Sequence, residues 1–309
     1  MQSSPLPFCD FGVFLKKAFP YKVQRIAVDA GFTCPNRDGT KGTDGCIYCN
    51  NATFNPSYCQ PQQSVSAQIE EGKVFFRRKY PSMKYLAYFQ AYSNTYAPLE
   101  TLKRLYEEAL SVPDVVGLVI ATRPDCISES LLDYLTELKR HHFVMLEYGI
   151  ESVDDRVLQK IHRGHCFVDT IQAVTVTAKR GIPVSGHVIL GLPGERDDYL
   201  PLSAKQISAL PLTSLKIHQL QIVKGTLLGR QYEENPNNFH LPTAKEYIDT
   251  LITYLGFLRP DLYIDRLISQ SPGILLLAPK WGLKSDTFKH LLITRMIERQ
   301  AHQGCSFSS

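Results

Sequence analysis

Residues 25–50 read RIAVDAGFTCPNRDGTKGTDGCIYCN, and the architecture follows from how this stretch is read. The apolar run 26–28 predicts a buried strand. The loop behind it carries Cys34, Cys46 and Cys49, spaced Cys-x11-Cys-x2-Cys. Three thiolates on one loop suit an iron–sulfur cluster or part of a zinc site. Structural zinc usually takes four protein ligands. Three ligands with an open fourth corner suit a cluster that binds a further group there. The glycines after Asp38 and at 42 and 45 let the loop fold tightly around such a group. A zinc-stabilised loop is the competing reading.

Outward from this loop, 309 residues at 44% hydrophobic content can bury a large core, as one α/β barrel or two smaller domains. A net charge of +4 permits an acidic or nucleic-acid partner without requiring one. The eight cysteines are scattered, and only three show ligand spacing, which points to a reducing cytoplasm rather than a disulfide framework. No leader pattern opens the chain, and the apolar stretch 274–279 is too short to span a bilayer. A cytoplasmic protein with no membrane partner is expected.

The chain then alternates regularly. Helix is predicted over 64–80, ending in Arg77-Arg78-Lys79, where cations favour a helix C-terminus and are a weaker sign of phosphate contact. Strands are predicted at 85–89, 115–121 (VVGLVIA), 143–150, 183–190 and 215–223. Helical faces lie between them: Leu99, Leu102, Leu105 and Tyr106; Leu131, Leu132, Leu135 and Leu138; Val168, Ile171 and Val174; and 197–210. Ser128 is the expected N-cap of the second, Ser152 with Asp155 a capping box, and Gly181 a C-cap. Six strand–helix units imply a parallel sheet, open or barrel-like. Residues 1–24 form an arm or short helix. The tail adds helices at about 243–258 and 285–301 around a short strand near 274–277. Trp281 is expected in the core, with contact to a planar substrate beside Lys280 as the alternative.

Candidate site residues collect at the predicted strand ends and the turns behind them. They are Tyr92 and Ser93 in FQAYSNT, Arg123 in ATRPDC, Glu151 in EYGIES, Arg163 in IHRGH, and His187 and Leu192 in HVILGLPGE. Alternation puts Glu147, Gly149 and Glu151 on one face. Two carboxylates inside a sheet are expensive unless they bind something. Taken singly, Tyr92 and Ser93 read as turn residues, Arg123 as a salt bridge, Arg163 as a helix-end cation and His187 as a core histidine.

Taken in order, the motifs resemble the radical S-adenosylmethionine (SAM) superfamily. The long first cysteine gap departs from its common Cys-x3-Cys-x2-Cys. It is similar to the subgroup of small bacterial proteins related to the Elongator catalytic subunit. The resemblance implies a partial (β/α)6 TIM-like barrel with a short C-terminal α/β extension: an arm at 1–21, the barrel at 22–230 and a closing extension at 231–309. It implies a 4Fe–4S cluster on Cys34, Cys46 and Cys49, with SAM chelating the fourth iron. Tyr92 and Ser93 would form the turn that binds the SAM amino group, although the family's glycines are missing there. Arg123 would meet the SAM carboxylate or a substrate phosphate, but Ala121 replaces the acidic residue common before it. Glu151 would hydrogen-bond SAM, Arg163 pair with its carboxylate, His187 supply a polar contact and Leu192 lie beside the adenine. Cys9, Cys59, Cys166 and Cys305 show no second cluster motif.

The implied activity is cleavage of SAM to methionine and a 5′-deoxyadenosyl radical, with an electron from a flavodoxin- or ferredoxin-type donor. The implied substrate is tRNA, at a wobble uridine. The Elongator subunit's acetyltransferase domain has no expected counterpart here. A radical enzyme on a small molecule or peptide, and a noncatalytic metal-stabilised RNA-binding protein, are the alternatives.

Overall fold

The computed structural model describes residues 6–53, 55–77, 83–196 and 198–308. Seven parallel strands form one curled sheet in the order β1 (Val23–Val28), β2 (Lys84–Phe89), β3 (Val115–Thr122), β4 (Phe143–Glu151), β5 (Val184–Leu190), β6 (Ser214–Gln219) and β8 (Tyr263–Arg266). Across the middle of the first four strands Ile26 pairs with Ala87, Ala87 with Leu118 and Leu118 with Val144. The carboxyl ends of the strands therefore line up. Helices α2 (Val65–Arg77), α3 (Leu99–Ser111), α4 (Glu129–Leu138), α6 (Phe167–Lys179) and α7 (Tyr199–Ser208) follow strands as crossovers. This is the expected partial barrel.

The inner face is layered, as alternation in a barrel requires. At the amino end, Leu86, Val119 and Met145 pack on Phe11 and Phe19. Phe11 belongs to α1 (Phe11–Ala18), so the predicted arm is a helix that plugs this end. One layer higher the inward positions are charged, and above them lies the site.

Several expectations shift. The sheet has a seventh strand, β8, inside the segment assigned to the extension. Its sequence, YIDR, has no apolar run because Asp265 and Arg266 serve the barrel interior and mouth. β8 and β1 are the two sheet edges, joined by the Arg25–Asp265 ion pair at 2.6 Å. The sixth predicted strand is split. Residues Ile222–Val223 (β7) leave the main sheet and pair antiparallel with β9 (Leu276–Ala278). The helix at 155–160, α5 (Asp155–Lys160), is capped by Asp154, which accepts from Arg156 N at 2.9 Å. Ser152 lies two residues too early and accepts from Asp154 N instead. Ser128 and Gly181 cap as expected. Of the basic run, Arg77 ends α2 and is exposed, and Arg78 and Lys79 lie outside the described residues. Trp281 stacks on Phe288 at 5.8 Å and donates to the Pro242 carbonyl, which is core packing. Among the described residues, no helix is long and apolar enough to cross a membrane.

Candidate active site

One cavity opens at the carboxyl ends of the strands, and the cysteine loop forms one wall of it. Cys34, Cys46 and Cys49 all line it. Each thiol has a guanidinium near it. Arg123 Nη1 is 3.9 Å from Cys34 Sγ, and Arg163 Nη1 is 3.7 Å from Cys46 Sγ. Arg37 donates to the Cys49 carbonyl at 2.8 Å. Asn36 Nδ2 ties the loop to the carbonyls of His162 and Arg163 and also approaches Cys46 Sγ at 3.5 Å. Among the described residues, no trio of His, Cys, Asp or Glu converges on a single ion-sized point. Burial and the neighbouring Cys46 push the Cys49 thiol up to about 12, against the pull of Arg37. Such a loop gives up protons when it takes a metal. Three thiols on one loop, backed by cations that offset thiolate charge, fit an iron–sulfur cluster.

The turn after β2 has no glycine, yet it adopts a glycine-like conformation. Tyr92 has φ +58°, in the left-handed region, and its neighbour Ser93 is fully buried. Ser93 N donates to the Thr33 carbonyl, which ties this turn to the cysteine loop. Ser93 Oγ has no hydrogen-bond partner among the described residues.

Glu151 is also left-handed, with φ +64°, where the β4–β5 register shifts between Gly149 and Glu151. Bulges of this kind re-aim side chains beside functional sites. Here Glu151 lies between two partners. Arg163 Nη2 is 3.5 Å away and His187 Nδ1 is 3.3 Å away. Burial opposes the Glu151 charge, but His187 and Arg163 prevail and hold the carboxyl below its usual range. Arg163 also donates to the Gly149 carbonyl at 2.7 Å and to His165 Nε2 at 3.0 Å. Burial and Arg163 hold His165 near 4, so it is neutral and free to accept.

Arg123 is buried and held in a fork by Asp125, with both contacts at 2.8 Å. Only its Nη1 faces the thiols. Leu192 differs from expectation. After the left-handed Gly191 its side chain enters the core rather than the cavity, and its N–H donates to Glu195 Oε1. Thus Tyr92, Ser93, Arg123, Glu151, Arg163, His187 and the three cysteines share the cavity, and Leu192 stands outside it.

Sequence reading missed the deeper wall. Glu147 forms a buried ion pair with Lys216 at 2.6 Å, and Tyr88 OH donates to Glu147 at 2.7 Å. Lys216 Nζ lies 3.1 Å from the Tyr88 hydroxyl and 4.6 Å from its ring centre. Burial opposes both charges. Lys216 and Arg25 still hold Glu147 at about 2, while Lys216 falls to about 8. His218, two residues along β6, also faces the cavity. The available signal was the alternation in SLKIHQ, where Ser214, Lys216 and His218 share one face and Leu215 and Ile217 the other.

The sequence profile of the radical SAM superfamily matches residues 34–207, and that of the radical SAM C-terminal domain matches 212–298. The Bacillus subtilis protein YtqA is 33% identical over 99% of this chain and 97% of its own length. A tRNA uridine(34) acetyltransferase of Dehalococcoides mccartyi is 27% identical over 62% of this chain and 40% of its own. In fold, the archaeal Elp3 of Methanocaldococcus infernus superposes with a TM-score of 0.66 at 18% identity. That match covers 92% of this chain and 64% of the Elp3 chain.

Proposed function

The chain belongs to the radical SAM superfamily and is a radical SAM enzyme using a 4Fe–4S cluster and SAM; from that premise we propose that its substrate is tRNA and its target a wobble uridine. The relation to a tRNA uridine(34) acetyltransferase over 62% of this chain carries this reading. The mild positive charge is compatible with an RNA partner.

When bound, the cluster and SAM supply reductive cleavage of SAM and a radical able to abstract hydrogen. The protein positions the parts. Cys34, Cys46 and Cys49 hold the cluster, with Arg123 and Arg163 beside the sulfurs. Arg163 and Glu151 hold the charged end of SAM, and the turn at Tyr92–Ser93 receives its amino group. The apolar plug below keeps bulk water from the amino end of the barrel. A flavodoxin- or ferredoxin-type protein supplies the electron. A reducing cytoplasm suits thiols that must bind iron.

The test is anaerobic reconstitution with iron and sulfide, then SAM, dithionite and tRNA. Undermodified tRNA should raise 5′-deoxyadenosine formation and gain a new nucleoside, while fully modified tRNA should not. 5′-Deoxyadenosine formation indifferent to tRNA, with no salt-sensitive tRNA retention, would move the assignment to a small molecule or peptide. A fully loaded cluster that never cleaves SAM, with or without tRNA, would refute the catalytic reading.

A further inference from the structure

His218 takes no part in the roles assigned above, yet it is 5% exposed and lines the cavity. Its Nδ1 lies 2.8 Å from His187 Nε2, with the rings edge to face at 80°. The other nitrogen of His187, Nδ1, lies 3.3 Å from Glu151 Oε2. His218 Nε2 has no hydrogen-bond partner among the described residues.

With His187 neutral, the order Glu151, His187, His218 sets where the protons lie. A carboxylate repels a nitrogen lone pair, so His187 Nδ1, 3.3 Å from Glu151 Oε2, carries a hydrogen, although the approach is not an aligned hydrogen bond. A neutral His187 then has a lone pair on Nε2. That lone pair needs a donor, and His218 Nδ1–H at 2.8 Å is the one present. A neutral His218 with a protonated Nδ1 has its own lone pair on Nε2. Burial, His187, Arg266 and Lys216 all disfavour a second proton on His218. The array therefore ends in a buried acceptor with nothing to accept.

We propose that His218 Nε2 accepts a hydrogen bond from the molecule bound in the cavity, so that this position selects a ligand offering an N–H or O–H donor. An unmatched buried acceptor is costly, and a ligand with a donor there removes that cost. Two sources offer this chemistry: the ribose hydroxyls and adenine amino group of SAM, or the substrate. The inference rests on the radical SAM reading only for the identity of these two candidates.

The first measurement is nitrogen-15 NMR of the full-length chain, labelled at histidine, in its diamagnetic cluster-free form. The His218→Phe variant assigns the resonance. The expected result is a protonated Nδ1 and a bare Nε2 on His218. A hydrogen on Nε2 overturns the proposal, and this readout needs no folded variant beyond the assignment.

The second measurement is SAM and tRNA binding by the cluster-loaded chain. His218→Phe removes the acceptor, and His218→Gln returns an amide oxygen near the same place. Loss of one hydrogen bond predicts about tenfold weaker binding of the donor-bearing ligand in the phenylalanine variant, with recovery in the glutamine variant. Weakened SAM binding identifies SAM as the donor. Weakened tRNA binding alone identifies the substrate. Unchanged affinity for both overturns the proposal. A chain that ignores tRNA but loses SAM affinity in the phenylalanine variant refutes the tRNA assignment and leaves this one standing.

Discussion

Arg163 Nη2 lies 3.5 Å from Glu151 Oε1 while donating to the carbonyl of Gly149 at 2.7 Å. Both contacts are possible only because residue 149 has no side chain. A Cβ there would lie 2.5 Å from Arg163 Nη2 and 2.6 Å from Glu151 Oε1.

Gly149→Ala should therefore split the Arg163–Glu151 pair without touching the cysteines. Iron content after reconstitution should match wild type, while SAM affinity falls about tenfold or more, the scale of a lost charge-assisted hydrogen bond. Unchanged SAM affinity would mean that the pair does not hold SAM.

The three cysteines should behave as one unit. Cys34→Ala, Cys46→Ala and Cys49→Ala should each leave the chain unable to retain a four-iron cluster, read by iron analysis and visible absorption. Full iron retention in any one of them would remove that residue from the ligand set.

Tyr92 holds a left-handed conformation at φ +58°, which costs a side-chain-bearing residue roughly 1–2 kcal/mol. Tyr92→Gly should keep the turn, and β-branched Tyr92→Val should be less stable than it by about that amount in urea unfolding. Equal stability of the two variants would contradict the conformation.

Lys216 and Glu147 are buried together, so removing one partner should be worse than removing both. Lys216→Met should cost about 3–5 kcal/mol, and Glu147→Leu with Lys216→Met much less. Glu147 is held at about 2, below its ordinary 4.5. Its contribution is therefore complete above about 4.5 and lost as pH falls toward 2. The double variant should lose stability less steeply over that interval. Parallel acid profiles for the wild type and the double variant would show that the pair does not stabilise the fold.

Much of this protein was legible before any coordinates. The apolar runs and the helical faces between them placed six of the seven main-sheet strands, because parallel strands buried on both faces must be largely apolar. The seventh, YIDR, was hidden because its interior positions carry charge. Glu147 and Glu151 were recognisable as inward carboxylates from alternation alone. What they touch was not.

The sequence by itself determined the alternating order of strands and helices and a loop of three cysteines with metal-ligand spacing. These rest on local spacing, which a single strand or loop expresses without its neighbours. Only the tertiary structure decided that Glu147 meets Lys216 across 69 residues, that a register shift turns Glu151 toward Arg163 and His187, and that His218 Nε2 ends the array without a partner among the described residues. Strand register and a left-handed backbone at a non-glycine residue arise from how the whole sheet packs. No local pattern records them.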